Sequence, residues 1–335
     1  MMSTKKVDPE IPPTPFAKGG EAGIRLNRGF KIRRGFSIAF IQFFLMLSAA
    51  AAADFGIEGS RTVVDQSGRR IEVEKPFGRI ISLYGAHTEN LFVLGGGELL
   101  IGVPPNEDYP PEAAEKPVFS YHDDPEKFLA ARPDLVLTRP MIDRGYPRLV
   151  QRLEKSGVAV VSLQPGTVAE MAVYWRILGI LTAREDRAMA MADRFQRAVA
   201  DLQALTAPIR PKKRVYFEAV HSKMKTFSPD SMAVFALEAA GGINIAGDAR
   251  PVRDTNIAAY GKERILARAA DIDVFLAQSG TMNQPTVELI KAESGFRAIR
   301  AVKADQVFIV DERLVARPTL RLLDGIFEIG RVLYP

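Results

Sequence analysis

Short, largely apolar runs alternate with segments of helical spacing along most of this chain. The runs are "RIISLY" (79–84), "LLIGVP" (99–104), "DLVLT" (134–138), "VAVVSL" (158–163), "RVYFEAV" (214–220), "DVFLAQ" (273–278) and "QVFIVD" (306–311). Between them lie "HTENLFVLGGG", "PEKFLAARP", "YPRLVQRLEKSG", "SMAVFALEAAGG", "GKERILARAA" and "PTVELIKAESG", several closed by glycine. Strands apolar on both faces must be covered on both faces, which dictates parallel sheets sandwiched between helices, an α/β fold.

One helix–strand phrase is stated twice. "DPEKFLAARPDLVL" ends at Leu137, and "GKERILARAADIDVFL" follows in the second half. Glu126 matches Glu263, Leu129 matches Leu266, Ala130 matches Ala267 and Asp134 matches Asp271, with Ala270 standing where the first copy has Pro133. Two similar halves are therefore expected, divided by a different middle. There, Thr167 with Glu170 and Thr182 with Glu185 each fit a capping box. The second segment, with Ala188, Met191, Phe195, Val199 and Leu202 at helical spacing, predicts a helix of about 24 residues, roughly 36 Å long. The expected division is a leader over 1–53, a hairpin segment over 54–78 turning at Ser67–Gly68, an N-terminal lobe over 79–166, connecting helices over 167–207 and a C-terminal lobe over 208–335.

Composition removes several function classes. The 335 residues include no cysteine, which excludes disulfides, thiolate metal sites, thiol nucleophiles and an acylated lipoprotein anchor. Of 45 Lys/Arg and 40 Asp/Glu, eight and three lie in residues 1–53, leaving 37 of each sign beyond. The net charge of +5 thus belongs to the leader, and nucleic acid is not an expected partner. The leader itself reads as an export signal: "KIRRG", then "FSIAFIQFFLML", then "SAAAAAD", with cleavage expected near Ala53. An uncleaved membrane anchor is the alternative. No G-x-S-x-G, phosphate-binding loop or H-E-x-x-H is present, so no catalytic residue and no enzyme is expected. Trp175, flanked by Leu178 and Leu181, is expected in the core.

From Arg79 onward the chain resembles the periplasmic substrate-binding proteins of ABC importers for iron–siderophore, haem and cobalamin. "RIISLYGAHTENLFVLGGGELLIGV", "DYPPEA", "PEKFLAARPDLVL", "AAGGINIA" and "KERILARAADIDVFL" follow in that family's order, and the likeness covers roughly residues 61–335. The resemblance implies two Rossmann-like α/β lobes with central parallel sheets, joined by a long backbone helix, with ligand in the cleft between them. It also implies a periplasmic monomer that delivers its cargo to a permease dimer, with Glu126 and Glu263 as docking acids. First-turn glutamates also serve helix stability alone.

Ligands of open α/β sheets meet the loops beyond the strands' carboxyl ends. Those loops supply Tyr84, Tyr121, Arg139, His221, Lys225 and Arg317 as candidate ligand contacts. Arg139, Lys225 and Arg317 suit carboxylates or catecholates, and Tyr121 or His221 could ligate iron. A ferric siderophore is the favoured cargo, followed by a corrinoid such as cobalamin and then haem; no resident cofactor or metal is expected. Convergence of His87, His122 and His221 on zinc is a lesser alternative. A metal-chelate enzyme or chaperone, or a sensor on the same scaffold, is the reading of another class.

Overall fold

Strand β1 (Gly56–Glu58), β2 (Thr62–Val64) and β3 (Arg70–Glu72) form an antiparallel sheet. In the computed structural model, which describes residues 55–252, 255–281 and 283–335, β2 and β3 are the expected hairpin. The expected leader and its cleavage point lie outside the described residues. Asp65 closes the turn, its Oδ1 accepting the backbone N–H of Ser67 and Arg69 at 2.9 and 2.8 Å. Its Oδ2 takes the N–H of Ser162 at 2.8 Å, which ties the small sheet to the first lobe.

That lobe is built on β4 (Ile80–Ser82), β5 (Leu100–Gly102), β6 (Leu135–Thr138) and β7 (Ala159–Ser162), all parallel in the order β5–β4–β6–β7. Helices α1 (Gly85–Val93), α2 (Pro125–Ala130), α3 (Pro140–Gly145) and α4 (Pro147–Lys155) follow the strands. Ile81, Phe119, Phe128, Val136, Leu149 and Leu153 make one buried core against the sheet.

Helices α5 (Val168–Thr182) and α6 (Glu185–Thr206) then pack along each other. The capping box of Thr167 and Glu170 forms. The second one does not. Thr182 ends α5, its hydroxyl donating back to the Leu178 carbonyl at 2.7 Å, and Ala183 adopts a left-handed conformation before Arg184 starts α6. The chain thus turns sharply where sequence spacing alone suggests a cap. The crossing helix has 22 residues, about 33 Å. Its start is held by the first lobe, Arg184 Nε donating to the Gly95 carbonyl at 3.1 Å. Its end meets the second, where Thr206 Oγ1 donates to the Ala239 carbonyl at 3.3 Å. Trp175 is buried in α5, with its indole edge against Phe195 of α6.

The second lobe has seven strands: β8 (Arg214–Val220), β9 (Lys225–Phe227), β10 (Ile243–Asn244), β11 (Arg250–Pro251), β12 (Ile257–Ala259), β13 (Val274–Ser279) and β14 (Val307–Asp311). β10, β13 and β14 extend β8 in parallel fashion, while β9, β12 and β11 form an antiparallel wing. Sequence patterning predicts β8, β13 and β14; β10, two residues long, carries no such signal. The wing's strands are two or three residues long and not apolar throughout, so no run marks them. Helices α7 (Met232–Ala239), α8 (Lys262–Ala267), α9 (Val287–Ala292), α10 (Arg300–Lys303), α11 (Glu312–Val315) and α12 (Leu322–Leu333) complete the lobe. Tyr216, Phe275, Phe296, Ile265 and Ile272 lie at its core. No helix among the described residues is long and apolar enough to cross a membrane.

The repeated phrase is α2–β6 in one lobe and α8–β13 in the other. Glu126 and Glu263 are each the second residue of their helices. The aspartate match shifts, however. Asp134 immediately precedes β6 and accepts the N–H groups of Gly78 and Arg79 at 2.8 and 2.9 Å, fixing the start of β4. In the second lobe the residue before β13 is Asp273, which accepts the N–H of Arg214 at 2.9 Å. Asp271 instead pairs with the Arg214 guanidinium at 2.7 Å. Two added residues between helix and strand moved the function of the aspartate, not the strand.

Candidate ligand cleft

Side chains at the carboxyl ends of β4 and β6 form the first wall. Tyr84 precedes α1 in extended conformation, and Arg139 precedes α3. The Arg139 guanidinium lies 5.0 Å from the Tyr84 ring centroid, an attractive placement over the ring face. Burial pushes the Tyr84 hydroxyl above the usual phenol range, against the pull of Arg139 and Arg317. Arg139 Nε is buried without a hydrogen-bond partner, and no carboxylate among the described residues pairs with this side chain. Tyr121 stands in a separate aromatic group, its ring 4.5 Å from His122 and 4.8 Å from Tyr146, with the Tyr146 hydroxyl 3.1 Å from His122 Nδ1.

Where the lobes meet, acids come from the first and arginines from the second. Arg317 Nη1 donates to Glu89 Oε1 at 2.6 Å and to both oxygens of Glu107 at 3.2 Å. Arg313 reaches Asp108 at 2.7 Å, and Arg321 stands 3.7 Å from Glu89 with its guanidinium over the Tyr109 ring. The Glu89 and Glu107 side chains are only 1% and 2% exposed. Burial raises both carboxyl groups above the ordinary range while the positive charge of Arg317 opposes the shift. Gly85 leaves room for this pair: a Cβ there would force the Glu107 carboxylate and the Arg317 guanidinium to shift. Arg317, expected as a ligand contact, is thus engaged by two buried acids.

The opposite wall begins at the end of β8. His221 is buried, its Nδ1 lying 3.0 Å from the fully buried Glu218 carboxylate. Its Nε2 has no hydrogen-bond partner and lies 4.0 Å from Glu293, which Lys262 neutralises at 2.5 Å. The hydrogen bond to Glu218 pushes the imidazole above its usual range, against desolvation. Asn283 Oδ1 accepts the His221 backbone N–H at 3.0 Å. Lys225 opens β9, opposite Val220, and lines a hollow of about 390 Å³ with Lys223, Arg250, Tyr260, Gly261 and Arg264. Arg250 and Tyr260 escape sequence reasoning because the wing that ends at them does; Arg264 lies on the expected helix α8.

The three histidines do not converge. His87 is fully buried, with Nδ1 2.7 Å from the Tyr174 hydroxyl and Nε2 2.8 Å from the Thr138 carbonyl. Nε2 therefore carries the proton and Nδ1 accepts. Burial lowers its pKa to about 4. With His122 beside Tyr146 and His221 on Glu218, each ring has its own surroundings, which overturns the zinc reading. Among the described residues no three potential metal-ligating acids and histidines gather. Glu126 is exposed and pairs with Arg152 at 2.8 Å; Glu263 is exposed, in the first turn of α8.

Two α/β lobes whose strand ends face one another across paired walls define a small set of folds, and residues 80–314 match the family model described as "Periplasmic binding protein". The chain belongs to that family. It is 27% identical to a vitamin B12-binding protein of Vibrio cholerae serotype O1, over 76% of this chain and 89% of that one. It is 25% identical to the ABC transporter substrate-binding lipoprotein YvrC of Bacillus subtilis, itself uncharacterised, over 82% and 85%. Among solved structures, a possible iron-binding (periplasmic solute-binding) protein from Staphylococcus epidermidis superposes with a TM-score of 0.68 at 28% identity, over 78% of this chain and all of that one. As a periplasmic binding protein, this chain has the two-lobed architecture expected from its sequence.

Proposed function

We propose that this chain is the periplasmic solute-binding component of an ABC importer, acting as a monomer that receives a metal chelate between its lobes and hands it to a permease dimer. Arg139 carries the reading. A guanidinium held over Tyr84, with a buried donor unspent and no carboxylate partner among the described residues, is suited to an anionic ligand, because leaving such a donor unpaired is costly. A ferric siderophore is the favoured cargo on that ground. Tyr84, Arg139 and Tyr121 are the proposed contacts on one side, and His221 and Lys225 on the other. Arg317 is proposed to brace the floor of the cleft through Glu89 and Glu107. Glu126 and Glu263, equally placed on equivalent helices, are the proposed docking acids. Export through the leader places the chain in the periplasm, and the absence of cysteine leaves no residue to acylate.

A corrinoid is the second reading, supported by the printed function of the Vibrio relative. Purification of the protein from the periplasm, followed by absorbance and metal analysis, separates the two. Iron with a charge-transfer band supports the first; cobalt with a corrin spectrum supports the second. Protein that copurifies with neither and binds none of ferric chelates, haem and cyanocobalamin in titration overturns the metal-chelate reading.

A further inference from the structure

The antiparallel wing of the second lobe carries charge that neither the core nor the lobe junction uses. Its register aligns Val220, Lys225, Ala259 and Arg250 across four strands. The wing's cations therefore sit at the end of the sheet where β8 delivers its carboxyl terminus, the end at which ligands meet such sheets. Between β8 and β9 the chain reverses through Met224, whose φ of 45° is unusual for a non-glycine residue. The reversal leaves Lys223 and Lys225 on the same hollow. Gly261, at a φ of 89°, donates its N–H to the Met224 carbonyl at 3.0 Å and pins the opposite rim. Arg264 lies 4.2 Å from the Tyr260 ring centroid.

Among the described residues the charge is not balanced locally. Asp248 serves Arg264 and stands 3.6 Å from Arg268. Lys223, Lys225 and Arg250 form no ion pair among the described residues. Three cations with no ion pair among the described residues, around one concavity, focus a positive potential on it. They come from two segments, the β8–β9 reversal and β11, and line part of an open hollow of about 390 Å³, against about 30 Å³ for one water in the liquid. That spread suits several oxyanions on one molecule better than a single compact phosphate.

We propose that this hollow is a subsite for a polycarboxylate, and that Lys223, Lys225 and Arg250 there grip the carboxylate arms of the chelate. The proposal rests on the transport reading for its cargo but not for its chemistry, and the experiment keeps the two apart. The full chain is treated with an amine-acetylating reagent at low salt, with and without free citrate, and the rate at each lysine is read by mass spectrometry. Citrate should slow acetylation of Lys223 and Lys225 at least tenfold while leaving exposed Lys155 unchanged. Arg250→Ala should raise the citrate concentration required about tenfold, and raised salt should do the same. Lys223→Ala, an exposed change, should weaken citrate protection of Lys225 without altering melting temperature. No protection by citrate, or equal protection by inorganic phosphate at the same concentration, overturns the proposal whatever the protein transports. Protection by free citrate in a protein that binds no metal chelate would leave the subsite standing and remove the metal-chelate reading.

Discussion

His87 and His221 are both buried, yet pH should act on them in opposite directions. His87 has both ring nitrogens committed in its neutral form and a pKa lowered to about 4 from 6.5. A depressed histidine favours the native state most above its unfolded pKa and loses that contribution as pH falls toward 4. The span corresponds to about 3 kcal/mol. Denaturant unfolding at pH 7 and pH 4 should show a loss of that order, reduced in His87→Gln. His221, raised by Glu218, contributes most below 6.5 and loses its contribution as pH rises through its folded pKa. In NMR titrations the His221 ring proton should move above pH 6.5 and that of His87 only well below it. A further test concerns Arg317. Removing it leaves Glu89 and Glu107 buried without their main counter-charge. Arg317→Ala should therefore cost about 3–5 kcal/mol of stability, read as a fall in melting temperature without ligand; unchanged stability would return Arg317 to the role of a plain ligand contact.

At the scale of elements, the helix-to-strand unit was readable because its parts are long enough to show periodicity. α2, β6, α8 and β13 all lie where the repeated phrase suggests. What escaped was decided by geometry across the chain. The functional partner of Asp134 is Asp273, because only the residue entering the strand can reach the N–H of its neighbour. Asp134→Ala and Asp273→Ala should each cost about 2 kcal/mol, since carboxylates accepting backbone hydrogen bonds contribute about 1.5–3. Asp271→Ala, which breaks an exposed pair, should cost under about 1 kcal/mol. The glutamates ask a different question. Glu126→Arg with Glu263→Arg should leave melting temperature and ligand affinity nearly unchanged, because both are exposed. Uptake through the cognate permease should fail, and each single change should lower it in part. Normal uptake by the double variant would reduce both residues to helix-start acids.

For the molecule as a whole, apolar patterning made the two-lobe plan and the crossing helix legible. The candidate cleft was legible only in part. Tyr84 and Arg139 could be placed at strand ends, and the structure stacks them. Glu89 and Glu107 carried no signal, because in sequence they are ordinary acids in a helix and a loop, and only the fold sets them against a chain segment more than 200 residues away. The crossing helix is anchored in both lobes, so opening works against α6 rather than a soft strand connection. Small-angle scattering with and without cargo should differ by only a few per cent in radius of gyration; a large change would place the hinge elsewhere.

The one-way charge of the lobe junction also sets an order in time. Chains emerge from their amino end, and domains form as they appear. Glu89, Glu107 and Asp108 are made early, whereas Arg313, Arg317 and Arg321 lie within the last stretch before Pro335. Until that stretch folds, Glu89 and Glu107 lack the arginine against which they are buried. An unfinished chain thus differs from a finished one by an open, acidic seam. The arginines that close the seam all lie between Arg313 and Arg321, so one short stretch seals the junction in a single step.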